Sequence, residues 1–389
     1  MIEERDVVIV GSGPAGCATA IALHRRDPAL ARRALVIEAF EHPREKVCAG
    51  GINGRVWNLL ERLDMPIKLP SVEINRIVVK TVFGEKRHEA PAVTRVALRE
   101  DFDTAIAAHL KNSGIELREG TRVTGVNREG NNIVVETADG AIRARAVVGA
   151  DGVGSVVRRD LFGMDNGVFL TAMASCPAKG HFTHEQNSIY LDFSRAARGA
   201  AGYRWIFPFI RDSEQWINTG ICEWRPRSAE ELKEDLGDFM KSHGFDPAAA
   251  IFRSFPQRPF HPRNHFCAPG ALLVGEAAGI DPFFGEGISY SIEYGMLAAD
   301  SLAEAMYAGD FSFEGHMKKL KWSRVGKELM MAWMASKLFY GKFHRIPAKA
   351  LMSDDNFLYL LTEVLSGRRE PSTFLAARMV FNIARALVK

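Results

Sequence analysis

The chain has 389 residues, more than one ordinary core encloses, which predicts two or three domains; 47% hydrophobic and 25% charged residues are the proportions of a soluble globular protein. Lys and Arg total 50 against 47 Asp and Glu, and the formal charge of +3 gives no general case for nucleic-acid binding, so any basic docking stripe has to be local. Cysteines at 17, 48, 176, 222 and 267 form no CxxC pair and have no histidine at metal-ligand spacing, which points to free thiols in a reducing cytoplasm and to no bound metal.

Acidic residues precede a strand-like DVVIV at the N-terminus, the reverse order of a signal peptide, and no apolar run reaches the ~18 residues that span a bilayer. A cytoplasmic protein is expected, at most resting on a membrane surface. Asp6 to Val10, Gly16 to Arg26 and Ala34 to Glu38 predict a β-α-β unit. Val72 to Val96 alternates apolar and polar residues, as antiparallel strands do. Arg99 to Ser113 reads as helix, and Ile115 to Val148 as strands turning at Glu129-Gly130 and Asp139-Gly140.

Val168 to Phe260 is strand-like and aromatic, interrupted by an acidic helix from Ser228 to His243. Ala271 to Gly275 predicts a buried strand, followed by a glycine-bearing turn and a helix from Gly287 to Tyr307. Beyond residue 310 the pattern is helical and carries the cluster LMMAWMASKLFY. A last helix, Phe374 to Lys389, follows the cap Pro371-Ser372-Thr373 and aligns Arg378, Asn382, Arg385 and Lys389, a stripe for solvent or for a membrane or partner. The implied domains are a discontinuous one (1–75, 96–165, 265–310), an inserted β-sheet domain (76–95, 166–264) and a helical region (311–389).

Gly11-Ser12-Gly13-Pro14-Ala15-Gly16 joins the first strand to the first helix, where G-x-G-x-x-G has a mechanical reason. Gly11 permits the turn, Gly13 lets a pyrophosphate approach the backbone, Gly16 allows helix and strand to touch, and the helix N-terminus faces the phosphates. Glu38, closing the second strand, is positioned for a ribose hydroxyl. This unit alone does not separate one dinucleotide from another.

Two later segments carry a resemblance. Gly149-Ala150-Asp151-Gly152-Val153-Gly154-Ser155-Val156-Val157-Arg158 resembles the Asp-Gly motif of flavoproteins built like aromatic hydroxylases, and Leu273-Val274-Gly275-Glu276-Ala277-Ala278-Gly279 with Pro282 and Gly285-Glu286-Gly287 resembles their second flavin motif. Within that fold, Lys46-Val47-Cys48-Ala49-Gly50-Gly51 resembles the Cys-x-Gly-Gly signature of geranylgeranyl reductases, with Ala49 where glycine is frequent. Gly202-Tyr203-Arg204-Trp205-Ile206-Phe207-Pro208 resembles their Tyr-x-Trp-x-Phe-Pro signature.

The resemblance implies an α/β fold: a Rossmann-like FAD-binding domain, an inserted mixed or antiparallel β-sheet substrate domain and a C-terminal helical segment. It implies FAD as cofactor, held by Gly11, Gly13, Pro14, Ala15, Gly16, Glu38, Cys48, Ala49, Gly50, Gly51, Arg99, Val123, Asp151, Gly152, Gly275, Glu276, Gly285, Gly287 and Ile288. Glu276 stands where aspartate is commoner, one methylene longer toward the ribityl chain, and Arg99 matches an arginine that contacts the pyrophosphate.

The implied activity is hydrogenation of C=C bonds in an apolar, isoprenoid substrate, with hydride from reduced flavin and proton transfer running ahead of it. Tyr203, Trp205 and Phe207 fall on one face of a strand and form the expected substrate pocket. Cys48, Tyr203 and Trp205 are the expected catalytic residues, and Cys48, Tyr203 or a water the candidate proton donors. One dinucleotide fold leaves NAD(P)H or a protein such as a ferredoxin to supply electrons from outside. The alternatives are a flavin monooxygenase or halogenase on the same fold, and a prenyl-binding escort protein without flavin.

Overall fold

A computed structural model describes residues 2–163, 167–178, 186–198, 200–225, 227–342 and 344–369, so the helix expected over Phe374 to Lys389 lies outside the described residues. The first strand, β1 (Glu3–Val10), is buried along Val7–Val10 because it runs through the middle of a sheet covered on both faces. It leads through Gly11 into α1 (Pro14–Arg26), where Pro14 opens the helix and Gly13 caps it without a side-chain bond. A Cβ on Gly16 would stand 1.8 Å from the Gly11 carbonyl oxygen, so only glycine lets α1 pack this tightly on the strand end.

A short helix α2 (Pro28–Ala31) and β2 (Ala34–Ile37) complete the β-α-β unit. Then come β3 (Gly51–Asn53), α3 (Gly54–Arg62), the hairpin β4 (Val72–Thr81) and β5 (Gly84–Val96), and α4 (Arg99–Asn112). The strands β6 (Glu116–Arg118), β7 (Val123–Glu129), β8 (Asn132–Thr137) and β9 (Gly140–Gly149) precede α5 (Val156–Phe162). The inserted stretch supplies β10 (Phe169–Pro177), β11 (Ser188–Asp192), β12 (Gly202–Arg211), β13 (Glu214–Glu223), α6 (Ala229–Ser242) and β14 (Ile251–Gln257). The chain returns through β15 (Cys267–Ala268) and β16 (Ala271–Leu273) to α7 (Ile288–Ala308), then α8 (Glu314–Trp322), α9 (Arg324–Phe339), α10 (Arg345–Ser353) and α11 (Asp355–Leu365).

Two sheets result. The first has the order β15-β16-β9-β1-β2-β6 with β7 and β8 joined to β9, and its β16-β9-β1-β2-β6 pairings are parallel, as a doubly wound dinucleotide fold requires. The second has the order β14-β10-β13-β12-β11-β4-β5-β3 and is antiparallel except at β11-β4. It begins at Val72 rather than 76 and recruits Gly51–Asn53 as an edge strand on β5, so the sheet draws on residues ahead of the expected boundary.

The second sheet is covered on both faces. On one, α6 lays Leu232, Leu236, Phe239 and Met240 against Ile206 and Ile221; its start is a capping box between Ser228 and Glu231. On the other, Tyr203, Trp205 and Phe209 meet Phe339 and Tyr340 from α9 and its cap, and Leu351 and Leu358 from α10 and α11. The alternation along β12 is therefore realised, with Ile206 on the opposite side.

A buried ion group fixes the C-terminal helices to the first domain. Arg55 of α3 donates to Glu293 of α7 at 2.7 Å through Nε and pairs with Glu328 of α9, which Arg324 also meets at 2.8 Å. Among the described residues no helix is long and apolar enough to cross a membrane, and no His, Cys, Asp and Glu cluster is arranged to hold a metal. All five cysteines are free thiols, with Cys17, Cys176 and Cys222 buried.

Gly220 of β13 lies under the Trp205 indole, where an added Cβ would fall 2.0 Å from the ring. Gly220→Ala should therefore lower stability by about 1–3 kcal/mol, the usual cost of overpacking. Urea unfolding followed by tryptophan fluorescence measures it, and an unchanged midpoint would show that the indole is not held there.

Candidate active site

A cavity of about 350 Å³ opens where β1, β9, α1 and α7 converge, with β14 of the second sheet closing one side. The loop after β1 forms its floor. Gly11 has φ +102°, a conformation open to glycine, and its missing side chain leaves room for the Ala150 carbonyl, 2.4 Å from where a Cβ would be. Glu38 lies at the end of β2 and accepts hydrogen bonds from the Ser12 amide at 2.9 Å and the Ser12 hydroxyl at 2.8 Å. It therefore clamps the glycine loop, while a carboxylate's remaining lone pairs stay available for a hydroxyl.

Beside Gly13 stands Arg44, which sequence reasoning passed over because no motif marks it. Its guanidinium lies 3.8 Å from a Cβ built on Gly13, 3.3 Å from Asp103 and 3.6 Å from Glu38, and its buried Nε has no hydrogen-bond partner among the described residues. Arg99 grips the fully buried Asp103 through two bonds of 2.9 and 3.0 Å. Burial works against the Arg99 charge, but Asp103 and Cys48 outweigh it and push its pKa up. A bare glycine, a helix N-terminus and the Arg44 guanidinium on one wall fit a pyrophosphate.

The other motifs complete the enclosure. The Asp151 carboxylate accepts from the Val156 amide at 2.7 Å and from the Ser155 hydroxyl, so its side chain is tied to the start of α5 while Asp151 and Gly152 both line the cavity. Burial raises the Asp151 pKa. Arg158, almost wholly buried, donates to the Ala277 carbonyl at 2.6 Å and so ties the Asp-Gly motif to the second flavin motif. Glu276 reaches the wall and has Lys46 3.7 Å away. Gly285, Gly287 and Ile288 bring the N-terminus of α7 to the opposite end, and Glu286 caps that helix by accepting from the Ser289 amide at 2.9 Å.

Of the expected cofactor residues, Gly11, Gly13, Pro14, Ala15, Glu38, Cys48, Arg99, Val123, Asp151, Gly152, Glu276, Gly285, Gly287 and Ile288 line the cavity. Gly16, Ala49, Gly50, Gly51 and Gly275 stand behind its walls. Gly275 would collide with Ala15 at 2.8 Å if it had a Cβ, and Gly50, at φ +81°, packs on the Ala97 carbonyl. A Cβ on Gly51 would lie 3.2 Å from the Phe207 ring, so β3 packs closely on β12 at this point.

The expected substrate face departs further from the sequence reading. Tyr203, Trp205 and Phe207 do not line the cavity. The Tyr203 hydroxyl donates to the Phe284 carbonyl at 2.5 Å, and burial drives its pKa well above the ordinary phenol value. Trp205 spends its N–H on Asn218 at 2.8 Å. The Tyr203 ring stacks on Phe193 at 5.2 Å, and Phe283 packs against Phe339 at 4.9 Å, so the aromatic face is a filled block. Phe255 of β14 bridges the two regions, lining the cavity while packing on the same apolar cluster.

The turn Phe283-Phe284 is held from four directions. Its two amides donate to the Asp281 carboxylate at 2.7 and 3.1 Å, and its two carbonyls accept from Tyr340 at 2.8 Å and from Tyr203. Neither Asp281 nor Tyr340 was singled out from sequence; the only signal for Asp281 was its place before Pro282 in the glycine-bearing turn.

This architecture is that of a flavoprotein oxidoreductase of the aromatic-hydroxylase type. Residues 4–308 match the family model described as "FAD binding domain", and the chain belongs to that family of FAD-dependent enzymes. Among named relatives, the digeranylgeranylglycerophospholipid reductase of Methanosarcina mazei is 27% identical over 362 residues, 87% of this chain and 86% of that one. A solved geranylgeranyl bacteriochlorophyll reductase-like protein of Thermoplasma acidophilum superimposes with a TM-score of 0.75 at 21% identity, covering 100% of this chain and 97% of that one. The flavin-dependent brominase Bmp2 superimposes at 0.71 with 18% identity, covering 98% of each chain.

Two outcomes follow. Arg44→Ala should leave the fold intact and weaken FAD retention by roughly tenfold or more, the worth of a charge-assisted hydrogen bond, measured by flavin release on dilution. Burial raises the Asp281 pKa to about 7 from the ordinary 3.8, so the folded protein holds this proton more tightly than the unfolded chain. Its contribution is complete below about pH 4 and lost as pH rises through 7, roughly 4 kcal/mol at most. Asp281→Asn should flatten the fall in urea midpoint between pH 5 and pH 8, and an unchanged slope would assign the pH dependence elsewhere.

Proposed function

We propose that this enzyme hydrogenates C=C bonds of an isoprenoid substrate, with the first sheet as cofactor domain and the second as substrate domain. The observation that carries this reading is the position of Cys48: it lies on the cavity wall among the flavin motifs, on a wall shared with Arg99, within a segment that resembles the Cys-x-Gly-Gly signature. The names of the relatives support the substrate class.

FAD, when reduced, supplies hydride to one alkene carbon. The other carbon takes a proton, and Cys48 is the thiol placed to give it, its S–H bond breaking as the new C–H bond forms. Arg99 faces the sulfur on which negative charge then develops. Tyr203 and Tyr340 hold the Phe283-Phe284 turn, keeping the ring block rigid beside the cavity. Phe255 lines the cavity on the side of that block, and its ring is placed to stabilise cationic character at a tertiary carbon. NAD(P)H or a small electron-transfer protein is the proposed outside reductant.

The test is anaerobic. The FAD-loaded protein is reduced with dithionite and mixed with geranylgeranyl diphosphate or a prenylated quinone, and flavin absorbance and product mass are followed. Reoxidation with a gain of two mass units per double bond is expected, and Cys48→Ala should keep its flavin while slowing reoxidation about a hundredfold, the range of a lost acid-base group. A flavin that stays reduced until oxygen enters, yielding a hydroxylated or halogenated product, would establish the monooxygenase or halogenase alternative instead.

A further inference from the structure

The tip of the β4-β5 hairpin is built from the wrong residues for a solvent turn. Turns of this kind favour Gly, Asn, Asp and Ser, yet Val82 and Phe83 occupy this one and are each 41% exposed. The turn is well made: the Phe83 amide donates to the Thr81 hydroxyl at 3.1 Å, and Gly84 adopts φ +126°. The two apolar side chains are thus held outward.

A cationic helix flanks them. The Arg345 guanidinium lies 5.8 Å from the centre of the Phe83 ring, and Lys349, one turn along α10, is exposed on the same side by helical spacing. The neighbouring acids are committed, Glu85 to Arg87 at 2.9 Å and Asp354 to the Asn356 amide at the start of α11. The inner faces of these same helices close the aromatic block: Leu351 and Leu358 share a cluster with Tyr203 and Trp205.

We propose that this patch seats the protein on a bilayer containing anionic lipid, with Val82 and Phe83 entering the interface and Arg345 and Lys349 on the headgroups. Apolar side chains flanked by long cationic ones are what such an interface selects, the chain stems lying along the acyl boundary while the charges remain at the surface. The seat would deliver an isoprenoid to the helices that cover the ring block; that consequence rests on the proposed function, whereas the seat itself does not.

Co-sedimentation of the FAD-loaded, full-length protein with phosphatidylcholine vesicles, with and without phosphatidylglycerol, tests it. Binding to the anionic vesicles is expected, reduced at least tenfold by V82D/F83D and roughly thirtyfold by R345E/K349E, about fivefold or more for each cation lost. Flavin content and melting temperature should stay at wild-type values in both variants. Wild-type protein that ignores anionic vesicles, or a V82D/F83D variant that binds them as well as wild type does, overturns the proposal. Turnover of detergent-dispersed substrate is measured in parallel. Its absence counts against the reductase reading alone, because vesicle binding is scored without turnover.

Discussion

The site depends on backbones brought closer together than any side chain permits. Gly16 sets α1 on the Gly11 carbonyl, and Gly295 of α7 sets that helix on α1 from the other side, a Cβ there falling 2.6 Å from the Ala15 carbonyl. With α1 held between strand and helix, the N-termini of α1 and α7 both open onto one cavity. The two helix ends then face that cavity from opposite sides, with Glu286 holding the Ser289 amide of α7.

Charge is organised around that steric core. Glu38 fastens the glycine loop through Ser12, Arg44 lies between Glu38 and Asp103, and Arg99 closes the chain at Cys48. Each carboxylate in this series is buried and each is answered by a donor, the condition under which charges survive burial. The Arg44 guanidinium stands beside the glycine whose missing side chain leaves room for a phosphate. The fit to FAD therefore rests on a bare glycine and a cation held side by side.

The aromatic block answers to a different constraint. A turn carrying two phenylalanines has two amides and two carbonyls to satisfy in an apolar setting, and Asp281, Tyr203 and Tyr340 satisfy all four. Tyr203 belongs to β12 and Tyr340 caps α9, so the bonds couple the second sheet, the α7 approach and the C-terminal helices into one rigid wall. Burial keeps the Asp281 proton near neutrality, which makes this wall sensitive to pH in a way its rings are not.

Local pattern determined a great deal. The β-α-β unit, the hairpins at Glu129 and Asp139 and the capped helix after Ser228 follow from periodicity and turn chemistry, which act over a few residues. The glycines of the first motif were legible for the same reason, since each answers to a steric demand within one loop. What only the tertiary structure decided is where distant side chains spend their donors. Tyr203 is a candidate acid in the sequence and a committed donor in the fold because Phe284, far along the chain, offers it a carbonyl. Gly51 shows the same limit: its bare Cα faces the Phe207 ring of β12, a neighbour that no local signal specifies.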